Sequence, residues 1–254
     1  MVYPELHLFG VDGPGSTHPA QLEAAAQPLD GPLCAALAEL AGDHGVWLVP
    51  GSIVERGADG ELYNTAVVFS PDGELVASYR KIFPWRPFEP YRPGGEFVVF
   101  DIPGTGRVGL SICYDSWFPE VARHLAWMGA EVIVNPVMTT TIDRAQEIVI
   151  ARANAIVNQV FVVSVNTAAP VGLGQSVVID PEGRVRVTAP SEVATVLTDV
   201  VDLDAVATVR RFGTVGLTRP WDQFQPDDAP LELPLYGGRI DPARWKPGTG
   251  TPGS

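Results

Sequence analysis

Cys113 stands where a nucleophile would have to stand. It lies in Val108-Gly109-Leu110-Ser111-Ile112-Cys113-Tyr114-Asp115-Ser116-Trp117-Phe118-Pro119-Glu120. There Val108, Leu110 and Ile112 predict a buried strand, and Pro119-Glu120 predicts a helix start. Proline fits the first helical turn because its missing N–H has no partner there anyway, and glutamate complements the helix dipole. A thiol at such a junction has free backbone N–H groups beside it, which a nucleophile and a developing oxyanion both need. A cysteine on its own is more often inert core, so other residues must decide. Lys81 is framed by Tyr79, Ile82, Phe83 and Trp85, an apolar setting in which an ammonium needs a charge partner. Glu89 lies among Pro87, Phe88, Pro90 and Tyr91, a poor place for an unpaired carboxylate. Glu5, in Val2-Tyr3-Pro4-Glu5-Leu6-His7-Leu8-Phe9-Gly10, reads in isolation as a surface acid.

Together these segments resemble the nitrilase, or carbon–nitrogen hydrolase, superfamily. Its members carry a Pro-Glu-Leu motif, an Arg-Lys motif and a Cys-x-Asp/Glu motif in that chain order. Here they are Pro4-Glu5-Leu6, Arg80-Lys81 and Cys113-Tyr114-Asp115. Arg152-Ala153 with Asn158, then Asn166, Gly174-Gln175-Ser176 and Asp180-Pro181-Glu182-Gly183, also fall in family order, so the resemblance spans roughly residues 1–205. It implies a catalytic triad with Glu5 as general base, Lys81 as cation and Cys113 as nucleophile. Glu89 takes the place of the further glutamate of many amidase members. Tyr114, Trp117 and Met138 are expected to support the substrate. The fold it implies is α/β with mixed sheets, a four-layer αββα sandwich. Members usually begin with a strand and a helix ahead of Pro-Glu-Leu. Here that motif opens the chain, so either another segment fills the slot or the numbering starts at an internal methionine.

The residue types suit amide chemistry. An amide carbon is a poor electrophile, so hydrolysis is usually split through a covalent intermediate. A free thiol with pKa about 8.5 is only a few per cent thiolate at neutral pH and needs a cation or base beside it. On this reading Lys81 favours the thiolate and stabilises the oxyanion, with the Tyr114 N–H as second donor. Glu5 takes the thiol proton, gives it to departing ammonia and then activates water. No step needs a metal or organic cofactor. Cys113-Tyr114-Asp115 resembles amidases and carbamoylases, Lys81–Gly95 aliphatic amidases and formamidases, and Trp117-Phe118-Pro119-Glu120 a carbamoyl-polyamine branch. The expected reaction is hydrolysis of a small linear amide with release of ammonia. N-carbamoyl amine or amino-acid hydrolysis comes second, and a non-catalytic scaffold or binding role third.

Other motifs fail. Gly109-Leu110-Ser111-Ile112-Cys113 ends in Cys where the serine elbow needs Gly. No His-Glu-x-x-His, zinc spacing, phosphate loop or dinucleotide fingerprint occurs. His124 invites a Cys–His dyad but sits on a predicted helix of mixed polarity. With 254 residues, 46% of them hydrophobic, the chain can bury about three quarters of its unfolded surface. A net charge of −13 argues against nucleic acid or an anionic membrane as partner. No apolar run reaches ~18 residues and no basic leader opens the chain. Cys34 and Cys113 make no disulfide framework, so a cytoplasmic setting is expected.

Periodicity predicts helices at Gln21–Ala26, Gly31–His44, Pro119–Met128 and Arg144–Asn158. Strands are predicted at Val46–Pro50, Thr65–Phe69, Glu74–Tyr79, Val132–Asn135, Val160–Asn166, Ser176–Ile179 and Arg184–Thr188, with turns at Pro71-Asp72-Gly73 and Asp180-Pro181-Glu182-Gly183. Residues 1–220 read as the catalytic domain and 221–254 as a proline-rich tail. Trp221–Trp245 should pack extended over a surface, and Pro247–Ser254 should be a disordered end. The family's assembly implies a homodimer or higher two-fold oligomer through Arg123, Ala126, Trp127 and Gly129 on the helix after the nucleophile, isologous near residues 118–129.

Overall fold

The computed structural model describes residues 1–9, 19–240 and 247. Helices α1 (Pro19–Ala25) and α2 (Pro32–His44) precede strands β1 (Ser52–Arg56), β2 (Leu62–Phe69), β3 (Leu75–Arg80), β4 (Val99–Ile102) and β5 (Gly106–Leu110). A 3-10 turn at Cys113–Trp117 leads into α3 (Pro119–Trp127), β6 (Val132–Val137), α4 (Arg144–Asn158) and β7 (Phe161–Asn166). β8 (Val177–Ile179), β9 (Val185–Thr188) and α5 (Asp204–Phe212) follow, and a hairpin of β10 (Leu231–Leu233) with β11 (Gly238–Ile240) comes last.

Two sheets stack face to face. One has the order β1-β2-β3 and is antiparallel; the other has the order β4-β5-β6-β7-β8-β9, with β5, β6 and β7 parallel at its centre. Alternation along the strands sends successive side chains to opposite faces. Ala66 and Val68 of β2 and Tyr79 of β3 meet Val108, Leu110 and Val134 of the larger sheet between the two layers. Val67 and Phe69 face the other way, against Cys34, Leu37 and Ala41 of α2. On the far side of the larger sheet, Ile133 and Val162 pack on Val121 and Leu125 of α3 and on Ala151 and Ala155 of α4. The order of layers is therefore helix, sheet, sheet, helix: an αββα sandwich.

The structure departs from the periodicity reading in several places. Val46–Pro50 is no continuous strand; it makes two isolated bridges, Leu48 to Phe69 and Val49 to Val2. Pro50 lacks an N–H to donate and Gly51 has φ +89°, so regular pairing resumes only at β1. Val2 thus lies parallel to Val49, in the segment that leads into β1. β1, β4 and α5 were not anticipated, because Glu55, Arg56 and Asp101 interrupt the apolar pattern and α5 buries only Val206 and Val209. The segment after residue 220 is not simply extended. Trp221 sits in a 3-10 turn, buried on the α3–α4 layer, with its ring 6.1 Å from that of Trp127. Apart from Pro247, the expected disordered end lies outside the described residues. Among the described residues no helix is long and apolar enough to cross a membrane.

Candidate active site

Three segments converge at the C-terminal ends of β5 and β6. The first carries Glu5, whose backbone N–H donates to the Val137 carbonyl at the end of β6 (3.3 Å). Gly51 makes that approach possible: a Cβ there would stand 1.7 Å from the Pro4 carbonyl oxygen. The second carries Lys81, one residue beyond β3. Its N–H donates to the Asn64 carbonyl and its own carbonyl accepts from Gly94. Gly94 is held so close that a Cβ would come within 2.2 Å of the Arg80 oxygen. The third is the turn at Cys113. Cys113 takes φ +45°, a left-handed conformation that is costly for a side chain bearing a Cβ and that clusters at functional sites.

Asp115 holds that turn in place. Its fully buried carboxylate accepts from the Ile112 N–H (2.9 Å), the Tyr79 hydroxyl (2.8 Å) and the Phe83 N–H (2.9 Å). Tyr79 and Phe83 flank Lys81, so one side chain fixes the register between the lysine segment and the cysteine turn. Burial pushes the Asp115 carboxyl up, with Lys81 and the three bonds opposing. The sequence showed Asp115 as part of a motif without this positioning role.

The polar centre is dry. Lys81 and Glu5 are each 1% exposed, and Lys81 Nζ donates to Glu5 Oε1 at 3.0 Å and to Glu89 Oε1 at 2.8 Å. Asn64 Nδ2 also donates to Glu5 Oε1 (2.8 Å), and Glu89 Oε2 accepts from the Trp85 N–H (2.7 Å). Burial would pull the Lys81 ammonium down, but Glu5, Cys113, Glu89 and Asp115 together hold it well above its ordinary value, so it stays charged. Burial raises the Glu89 carboxyl, with Lys81 opposing and Glu5 reinforcing.

Cys113 is half-buried and free, whereas Cys34 is buried beneath α2. Burial first, then Glu5, pushes the Cys113 thiol well above its ordinary range; Lys81 and the Met138 backbone N–H pull the other way. The sequence reading gave Lys81 the task of favouring the thiolate. Lys81 does pull the thiol that way, but burial, the largest effect, together with Glu5 outweighs it.

Glu5, Lys81, Glu89, Cys113 and Met138 are thus brought together. Tyr114 contributes its backbone: as the second residue of the 3-10 turn, its N–H has no acceptor inside that turn. Its ring packs edge-on against Phe118 at 5.3 Å, and the Trp117 ring lies 6.1 Å from it. Sequence reasoning missed Asn64, Tyr91, Thr139 and Glu147. Asn64 left one signal, an amide in strand β2, most of whose other residues are apolar.

Two buried carboxylates, an ammonium and a thiol are thus gathered at one end of the sheets in an αββα sandwich. The carbon–nitrogen hydrolase family model matches residues 1–211, and the chain belongs to that family. It is 36% identical over 202 residues to omega-amidase NIT2 of Homo sapiens, covering 73% of this chain and 72% of that protein. A formamidase of Bacillus thuringiensis is 42% identical over 119 residues, 46% of this chain and 36% of its own length. Among solved structures, Nit3 of Saccharomyces cerevisiae superposes with a TM-score of 0.73 at 28% identity, covering 83% of this chain and 79% of that one. A mutant amidase from Nesterenkonia sp. AN1, with acrylamide joined to its active-site cysteine by Michael addition, gives a TM-score of 0.65 at 27% identity over 74% of each chain.

Proposed function

We propose that the protein hydrolyses the carbon–nitrogen bond of a small linear amide through a thioester on Cys113. The observation that carries this reading is a buried ammonium bonded to two carboxylates beside a half-buried thiol at a strained turn. Omega-amidase and formamidase relatives support the substrate class, and the acrylamide adduct in the Nesterenkonia amidase supports a cysteine that meets small amides.

Cys113 Sγ attacks the carbonyl carbon while Glu5 takes the thiol proton. Lys81 Nζ and the Tyr114 N–H receive the oxyanion, each such donor being worth about 10²–10³ in rate. The intermediate collapses as Glu5 returns the proton to the leaving nitrogen, and ammonia departs. Glu5 then takes a proton from water, whose oxygen attacks the thioester carbon. The acid leaves and the proton returns to sulfur. Glu89 neither gives nor takes a proton; it holds Lys81 and thereby orients it.

Replacing the nucleophile tests the reading. Cys113→Ala should abolish ammonia release from formamide, propionamide and longer amides while leaving the circular dichroism spectrum and melting temperature near wild type. Rapid acid quench of the wild type should show a substrate-dependent mass increase on the Cys113 peptide. An alanine variant that still releases ammonia would rule the mechanism out.

A further inference from the structure

Tyr91 is a buried phenol whose hydroxyl the protein leaves unbonded, and the reaction above does not use it. Its segment is fixed against the site from both sides. Two residues earlier, Glu89 is bonded to Lys81 Nζ (2.8 Å) and to the Trp85 N–H (2.7 Å). Immediately after it, the Arg92 N–H donates to the Leu62 carbonyl and the Gly94 N–H to the Lys81 carbonyl, both at 2.8 Å. The Tyr91 ring belongs to the apolar cluster of Leu6, Leu22 and Val54, against which Met138 packs. Leu6 is the chain neighbour of Glu5, and Met138 follows Val137, whose carbonyl receives the Glu5 N–H. The phenol therefore stands in the wall around the general base, where the charges of Glu89, Glu5 and Lys81 all bear on its hydroxyl.

Only 2% of Tyr91 is exposed, yet its hydroxyl has no hydrogen-bond partner among the described residues. A buried hydroxyl without a partner costs free energy that phenylalanine in the same place would not. The charged groups around it are occupied with one another. Lys81 Nζ donates to both glutamates, Glu89 Oε1 and Oε2 each hold one bond, and Glu5 Oε1 holds two. Such a group beside reacting atoms calls for a ligand. In the reaction above, the carbonyl oxygen of the amide lies with Lys81 Nζ and the Tyr114 N–H, so its nitrogen turns toward Glu5, the acid that protonates it. In this dry wall the N–H hydrogens need acceptors. Burial, then Glu89 and Glu5, push the ionisation of Tyr91 up, so it stays a phenol with its oxygen lone pairs free.

We infer that Tyr91 contacts the substrate: its oxygen accepts an N–H of the leaving nitrogen and turns that nitrogen's lone pair toward Glu5. The assignment rests on the amidase reading for turnover, but the contact can be measured without turnover. Tyr91→Phe deletes the hydroxyl and nothing else. Because that hydroxyl has no partner in the protein, the variant should melt at the wild-type temperature or a few degrees above it. Its kcat/KM for propionamide should fall about three- to tenfold, the net worth of one neutral hydrogen bond. For methyl propionate, which forms the same thioester but has no N–H, kcat/KM should stay near wild type. A role in packing alone would lower both equally. Acrylamide and methyl acrylate make the same comparison at Cys113 without turnover, the thiol adding across the double bond and its proton passing to carbon. Peptide mass mapping excludes labelling of Cys34. Acrylamide labelling should slow by a similar factor in the variant while methyl acrylate labelling holds. A ratio of the two reagents unchanged in Tyr91→Phe overturns the inference. So does a variant that melts lower or fails to fold, since the hydroxyl then had a partner within the protein. A wild type that turns over no amide, with the reagent ratio still shifted in the variant, would overturn the proposed function and leave the Tyr91 contact standing.

Discussion

Arg80 and Lys81 are neighbours in the chain, both basic, and each meets a nearly buried glutamate, yet they serve opposite ends. Arg80 leaves the outer face of β3. Its guanidinium takes Glu55 in a two-pronged grip at 3.0 and 2.5 Å while 39% of the side chain stays exposed. Thr65 donates to the same carboxylate and the Tyr63 ring stacks beneath the guanidinium at 3.7 Å. That pairing is one cation to one anion, wetted at the edge. Lys81 points inward, at 1% exposure, and answers two carboxylates at once. A planar fork suits fixed recognition of one carboxylate; a compact ammonium with rotatable donors suits a place where a third oxygen must be accepted. The difference separates a peg that holds a sheet from a charge kept ready for a reaction.

The sharpest way to break this contrast is to neutralise each cation. Lys81→Met should lower kcat for amide hydrolysis by about 10³ or more, as it removes an oxyanion donor and releases Glu5. It should also cost about 3–5 kcal/mol in chemical unfolding, since two carboxylates lose their buried partner. If Lys81 were structural only, stability and activity would fall in proportion as unfolded protein accumulates, and the folded fraction would keep its kcat. Arg80→Met should be milder, at about 1–3 kcal/mol of stability from a Glu55 left with Thr65 alone. Its kcat should stay near wild type; a collapse of kcat in a folded Arg80→Met would erase the distinction. The smallest effect is in pH. Burial and Glu5 outweigh Lys81 and hold the thiol above a free thiol's ordinary value. A raised value places thiolate formation on the alkaline side, so the iodoacetamide rate at Cys113 should keep climbing past that ordinary value. A plateau near neutrality would mean that Lys81 does depress the thiol.

How much of this was legible in the chain follows from where the information lies. α4 was read at its observed bounds because Ile, Val and Ala recur at helical spacing between Arg144 and Asn158. Lys81 and Glu89 stood out because charge in an aromatic and proline-rich setting demands a partner, and the partner turned out to be shared. β1 was invisible: Ser52, Glu55 and Arg56 look like a loop until Thr65 and Arg80 arrive from other strands to satisfy them. Glu147 could not be read either, since on a helix wheel it is one more polar residue. Only the fold brings the Thr139 hydroxyl to its carboxylate, beside Arg144.

Trp221 carries a consequence for how the molecule is made. Its indole N–H donates to the Asn158 carbonyl at the end of α4 (3.3 Å), and Arg123 of α3 stacks on its ring at 4.8 Å. Just before it, the Thr218 carbonyl accepts from the Gln159 amide (3.2 Å). The helical layer that braces the nucleophile turn, through Asn154 to the Ser116 carbonyl, is therefore closed by residues distant in sequence from α4, Thr218 and Trp221. A ribosome that has released only the first two hundred residues holds a nascent protein whose sheets can pair but whose α3–α4 face is still bare, and contacts of such long sequence separation form slowly. That layer is completed only once Trp221 is available, and a product cut short before Pro220 offers chaperones and proteases an apolar surface that Trp221 otherwise covers.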